Sequence, residues 1–166
     1  MEDWFGDHLI PPASADGGSI RVEFQPAGAA VDAGEIVGIA TASPMTGHAD
    51  AFAAPFRARG YDTARIFYFG ESVLLARYRG RGIGHAFFDA REAHARSLVG
   101  TTHATFCAVQ RPPDHPLRPR DDVPLDGFWR KRGYEVLDGV TTAFDWTDVG
   151  ESAETTKPMQ FWMREL

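Results

Sequence analysis

The chain of 166 residues has a single cysteine, Cys107, so an internal disulfide is excluded and a reducing compartment is expected. It has no apolar run near the roughly 18 to 20 residues that a membrane span needs. Its start, Met1-Glu2-Asp3, is acidic where a secretory signal is basic, so a soluble cytoplasmic protein without a membrane partner is expected. It has no excess of basic charge either. The formal net charge of -6 argues against nucleic acid or an anionic surface as the main partner, because both reward a positive face, and a small cationic partner suits that sign better. Metal-ligand clusters are also lacking. His85 and Asp89 are one turn apart on a predicted helix, but two residues make a surface pair rather than a site, and no metal is expected. The length suits one domain with a continuous core, and no repeat or interdomain linker interrupts it.

What is present is a succession of strand and helix patterns. Met1 to Gly18, with Pro11-Pro12 and Gly17-Gly18, reads as an irregular lead-in, and 19–166 as the domain. Ile20, Val22 and Phe24 alternate with polar residues, which predicts a strand over Ser19 to Gln25. A Gly/Pro-rich connection then leads to a strand over Glu35 to Thr41. His48 to Arg59 has Ala51, Phe52 and Phe56 at helical spacing, but Pro55 predicts a short or broken helix there, of the kind that makes a flap. Ala64 to Leu75 reads as a long strand. Ile83, Phe87, Ala90, His94 and Leu98 form one stripe of a helix from about Gly82 to Leu98, ended by Gly100. His103 to Gln110 reads as a strand, so strand, helix and strand follow in order and predict a parallel pair with a right-handed crossover. A proline-rich loop, Arg111 to Pro124, a short helix closed by Gly133, and strands over Tyr134 to Trp146 and Lys157 to Leu166 complete the chain.

The strongest local signal is Arg79-Gly80-Arg81-Gly82-Ile83-Gly84, placed between a strand and an amphipathic helix. A helix start offers unpaired backbone N-H groups and the positive end of the macrodipole, and glycines let the backbone come close to phosphate oxygens. Arg77, Arg79 and Arg81 add charge. A Walker loop would need Gly-Lys followed by Ser or Thr, and a dinucleotide fingerprint would need glycine at Phe87 or His85, so neither fits.

The element resembles the (Gln/Arg)-x-x-Gly-x-(Gly/Ala) loop of the GNAT superfamily of N-acetyltransferases. Glu71-Ser72-Val73-Leu74-Leu75 resembles the strand before that loop, and Phe128-Trp129-Arg130-Lys131-Arg132-Gly133-Tyr134 resembles the family's Phe-Tyr-x-x-x-Gly-Phe element. The resemblance implies an α+β fold of three layers, α/β/α, with a mixed, mostly antiparallel sheet and a splayed parallel pair at its centre. It implies acetyl-CoA as cosubstrate, with main-chain contacts from Val73, Leu74 and Leu75, phosphate contacts from Arg79, Gly80, Arg81, Gly82, Ile83 and Gly84, and Trp129 beside the cofactor. Two departures stand out. The usual first strand and two helices that wall the acceptor site are short or missing, and Trp129 replaces a tyrosine that protonates the leaving thiolate, which an indole cannot do.

Within that resemblance, Glu71 is the candidate general base, with Ser72 acting through water and His115 next in line. Phe67, Phe69 and Val73 would perturb Glu71 if it were buried beside them, and alternation or a bulge decides whether Glu71 or Ser72 faces the cleft. A strand N-H near Leu74 is the expected oxyanion donor. Tyr68, Tyr134 and Cys107 are candidate acids, though Cys107 reads first as a buried strand cysteine. Asp114, Asp121, Asp122 and Glu71 suit a cationic acceptor, and Phe52, Phe56 and Trp129 an apolar one. The acceptor expected is a primary amine of a small molecule, with a protein N-terminus or lysine as the alternative; a catalytically weak acyl-CoA-binding domain or a purely structural module are the competing readings. Because Met159-Gln160-Phe161-Trp162-Met163 is apolar on both faces, a homodimer covering the last strand or the N-terminal segment is expected.

Overall fold

The computed structural model describes residues 21–25, 27–48, 50–115, 123–148 and 151–166. The lead-in over 1–18, Asp121 and Asp122 lie outside them. Seven strands form one sheet in the order β1-β2-β3-β4-β5-β7-β6. These are β1 Arg21–Gln25, β2 Ala27–Asp32, β3 Glu35–Pro44, β4 Ile66–Leu74, β5 His103–Val109, β6 Glu135–Trp146 and β7 Thr155–Glu165. Helix α1 is Asp50–Ala58, α2 is Ile83–Ser97 and α3 is Asp126–Lys131. All neighbouring strands are antiparallel except β4 and β5, the parallel pair that α2 connects. The architecture is therefore α+β, with the mixed sheet and parallel central pair that the sequence implied.

Alternation on β4 divides the core. Phe67 and Phe69 point to one side, with Phe88, Ala90, Ala95, Phe106, Tyr134 and Trp162. Ile66 and Tyr68 point to the other, with Met45, Ala53, Phe56, Val140 and Phe161. Helices α2 and α3 cover the first face and α1 the second, which makes three layers. A strand buried on both faces cannot alternate in polarity, which is why β4 reads as a nearly continuous apolar run.

Three expectations are corrected. The Gly/Pro-rich connection after Gln25 is itself a strand, β2, whose Ala-Gly-Ala-Ala run carries no alternating signal. It pairs with β3 through the turn Ala33-Gly34, both at positive φ, 48° and 85°, as a two-residue hairpin of primed type requires. Pro55 does not break α1. It removes one donor, but Ala53 and Phe56 are buried against Met45, Ile66 and Phe161, and that packing holds the helix in place as part of the core rather than a flap. The last strand, β7, is not an edge: it lies between β5 and β6, with Phe161 and Trp162 buried, so the surface expected to drive a homodimer is already covered within the chain. Among the described residues no helix is long and apolar enough to cross a membrane.

Candidate active site

Strand β4 runs out at Leu74, and the Leu75 N-H donates to the Val37 carbonyl at 2.9 Å, so the strand edge is pinned up to the loop. Tyr78 then turns inward, and its hydroxyl donates to Asp32 Oδ2 at 2.7 Å, fastening the loop to β2. The guanidinium groups of Arg77 and Arg81 lie 5.1 and 5.2 Å from the Tyr78 ring centroid. Arg79 is exposed. Gly80 and Gly82 have φ of 74° and 81°, a region that side chains with a Cβ rarely enter. No side chain caps α2 at Gly82, and the first bond back into the helix is from Ala86 N-H to the Gly82 carbonyl at 3.1 Å. The N-H groups of Ile83, Gly84 and His85 therefore have no partner in the helix and face outward with the dipole. Ile83 is buried and anchors this turn, while Gly84 sits close to α3, where an added Cβ would stand 3.8 Å from the Phe128 ring.

Next to this loop the parallel pair opens. Strands β4 and β5 are paired only over Ile66 to Tyr68 and His103 to Thr105. Beyond Tyr68 the edge of β4 that would meet β5 is free of it. Leu75 and Glu71 both direct their N-H groups to the β3 side, to the Val37 carbonyl and to Thr41 Oγ1 at 2.9 Å. Successive strand N-H groups point to opposite edges, so those of Ser72 and Leu74 face the gap.

A bulge sets the side chains. Ala40 pairs with Ser72 and Ala42 with Phe69, so Gly70 and Glu71 together oppose Thr41. The Thr41 hydroxyl substitutes for a ladder carbonyl in accepting the Glu71 N-H, and a Cβ on Gly70 would come within 2.6 Å of that oxygen. The Thr41 carbonyl in turn accepts from Arg91 Nη1 at 3.5 Å, at the limit of a hydrogen bond. Arg91 is buried on α2, bonded also to the Phe87 carbonyl and stacked over Phe69 and Phe88 at 4.5 and 4.9 Å; burial pushes its pKa down to about 10. Leu74 packs with Val37, Ala40 and Phe87 under α2, so Ser72 shares that side and Glu71, with Val73, points to the other. Glu71 is exposed, and Phe67 and Phe69 lie in the core on the α2 side, so of the apolar neighbours expected beside its carboxylate only Val73 shares its face.

At the base of the gap the Tyr68 hydroxyl and Cys107 Sγ are 3.2 Å apart. Burial raises the pKa of both, and the nearby Glu71 carboxylate raises each further, so neither is a ready acid near neutrality. The ring of Tyr68 meets His48 and Phe52 edge-on at 4.7 and 5.1 Å, and Phe52 meets Phe144 at 4.6 Å. Burial lowers the pKa of His48, whose Nε2 lies 2.7 Å from Ser43 Oγ. Tyr134 is fully buried and bonded to Glu92, away from the gap. Trp129 packs against Phe106 and Trp162, at 5.0 and 5.1 Å. His115 closes a turn on the Pro112 carbonyl after β5, beside exposed Asp114. Among the described residues no metal-binding cluster forms. The sequence reading missed Thr41, Arg91 and His48. Arg91 had a signal, one turn after Phe87 on the apolar stripe; Thr41 and His48 had none, because their roles depend on strand register.

No protein-family model matches the chain, and no curated protein does. Solved structures do. Arabidopsis thaliana NAA60, in complex with a bisubstrate analogue, matches at TM-score 0.55 and 10% identity over 87% of this chain and 76% of that one. The loading GNATL domain of CurA from Lyngbya majuscula matches at TM-score 0.55 and 11% identity over 85% and 76%. The polyamine N-acetyltransferase of Drosophila melanogaster matches at 0.52 and 11% over 85% and 75%. The fold of this chain is that of the GNAT acetyltransferases.

Proposed function

We propose that this chain is an N-acetyltransferase that moves an acetyl group from acetyl-CoA to a primary amine of a small molecule by direct attack in a ternary complex, in the cytoplasm. The observation that carries the reading is the uncapped glycine start of α2 standing beside the open edge of β4. The outward N-H groups of Ile83, Gly84 and His85, with Arg79 and Arg81, are suited to a pyrophosphate. The free β4 edge from Ser72 to Leu75 is suited to an extended amide-bearing arm, and Trp129, packed on Phe106 and Trp162, is the aromatic residue assigned to the cofactor in this reading. Acetyl-CoA supplies the acetyl group as an activated thioester. Glu71, exposed at the bulge, takes the proton from the incoming ammonium, and the Leu74 N-H, fixed by the strand, stabilises charge developing on the carbonyl oxygen. Ser72 points away from Glu71, so a water relay through it would have to cross the strand; His115 is the alternative base. A CoA thiol has an ordinary pKa near 8.5, and we propose that it leaves without a side-chain acid, since Tyr68 and Cys107 hold their protons.

Release of free thiol from acetyl-CoA, assayed against a panel of amines, tests the reading. Amine-dependent release is expected. Binding of acetyl-CoA without release to any amine would favour an acyl-CoA-binding domain, and absence of both would leave a structural module.

A further inference from the structure

The two faces of β2, β3 and β4 are treated differently. Toward α2, Ala30, Val37, Ala40 and Leu74 are buried with Tyr78, Ile83 and Phe87. On the opposite face Ile39 pairs with Val73, and Ile36 with Val31, and these cross-strand partners put their side chains side by side. Ile36, Ile39 and Val73 are 63%, 43% and 54% exposed, and among the described residues no helix covers them, since α1 lies over Tyr68, Val140 and Phe161 instead. Exposed branched residues at adjacent positions of a sheet form a patch of the kind that marks a binding surface. The patch leads to one charged group: Glu71 lies two residues before Val73 and shares its face. Of the three acids on strands β2, β3 and β4, Asp32 is turned to the α2 side, where it accepts from Tyr78, and Glu35 is its cross-strand partner, so Glu71 is the charged residue that these three strands place on the open face.

We propose that this face is the acceptor floor and that the acceptor is an amphiphilic monoamine, its amino group at Glu71 and its alkyl body along Val73, Ile39 and Ile36. The proposal rests on the acetyltransferase reading and adds the substrate class to it. Charge complementarity selects a cation over an acid at Glu71, and the uncharged side chains of Val73 and Ile39 select a hydrocarbon over a second ammonium next to it.

The test compares acetyl transfer to ethylamine, hexylamine and 1,6-diaminohexane, three amines of similar basicity, by full-length protein and Ile39→Thr, with sedimentation run at the assay concentration. Hexylamine should show a KM about tenfold or more below that of ethylamine, as expected when a few methylenes leave water. The diamine should do no better than hexylamine. Ile39→Thr should raise the hexylamine KM several-fold and shrink the preference for hexylamine over ethylamine. Equal KM values for ethylamine and hexylamine, or preference for the diamine, would overturn the floor while leaving the acetyltransferase intact. Thiol release with no amine at all would remove that reading and this one together. A dimer that dissociates in Ile39→Thr would show that a second copy covers the face, and would also overturn the proposal.

Discussion

At the scale of the residue, Glu71 and Thr41 act as a pair. Glu71 is held by its own backbone, because its N-H is bonded to the Thr41 hydroxyl rather than to a strand carbonyl. Glu71→Gln keeps that bond and removes only the proton acceptor. Turnover should fall about 10² to 10⁴-fold with acetyl-CoA affinity nearly unchanged, the range expected for one acid-base group. Unchanged turnover from pH 6 to 9 would move the base to His115. Thr41→Val preserves the shape of the residue but leaves the bulge without its bond, at a cost of about 1 kcal/mol in stability. Because a small displacement of a reacting group is expensive, kcat should fall about tenfold or more while the KM for acetyl-CoA stays put. Thr41→Ser should restore kcat, an outcome that a purely steric role for the residue would not produce. Legibility varied with the kind of residue. Glu71 was visible in the sequence because it stands just before the glycine loop; its partner Thr41 was not, because a bulge that sets two residues against one is a property of register between strands distant in sequence.

At the scale of the element, the start of α2 carries the sharpest expectation. Gly82 is the helix N-cap in the left-handed region, and a Cβ there would meet nothing within 4 Å, so a side chain is opposed by backbone strain and not by a neighbour. Gly82→Val should cost about 1 to 2 kcal/mol in the free protein, leave the fold in place and abolish the thermal shift with acetyl-CoA. Retention of the shift would show that the cofactor is held elsewhere. The same element shows why patterns of period 3.6 were read well and strand β2 was not. Helix α2 writes its buried face into a local repeat. Strand β2 is made of small residues whose pairing is decided by β3 and by the turn at Ala33-Gly34, and helix α1 survives Pro55 because Phe56 is buried with residues of β4, β6 and β7, the last two far from it in sequence.

At the scale of the whole molecule, the sheet is split between β4 and β5 beyond Tyr68, and a ligand seated in that split would add contacts along a strand edge that the free protein leaves unpaired with β5. Acetyl-CoA should therefore stabilise the protein against unfolding, by about 2.7 kcal/mol at 100 times its dissociation constant. A thermal scan unchanged at millimolar acetyl-CoA would remove the basis of the function proposed here. The sequence by itself determined the order of most elements, the glycine-rich helix start from Arg79 to Gly84 on which the proposed phosphate site rests, and the parallel pair, because each is written in local spacing, glycine placement and strand-helix-strand succession. Only the tertiary structure decided that β7 is interior, that Ser72 lies on the α2 side of the strand while Glu71 faces the opposite side, and that Ile36, Ile39 and Val73 are exposed on the face that Glu71 shares. Each of these depends on which strands become neighbours and where their register slips, and neighbours far apart in the chain leave no period in the sequence between them.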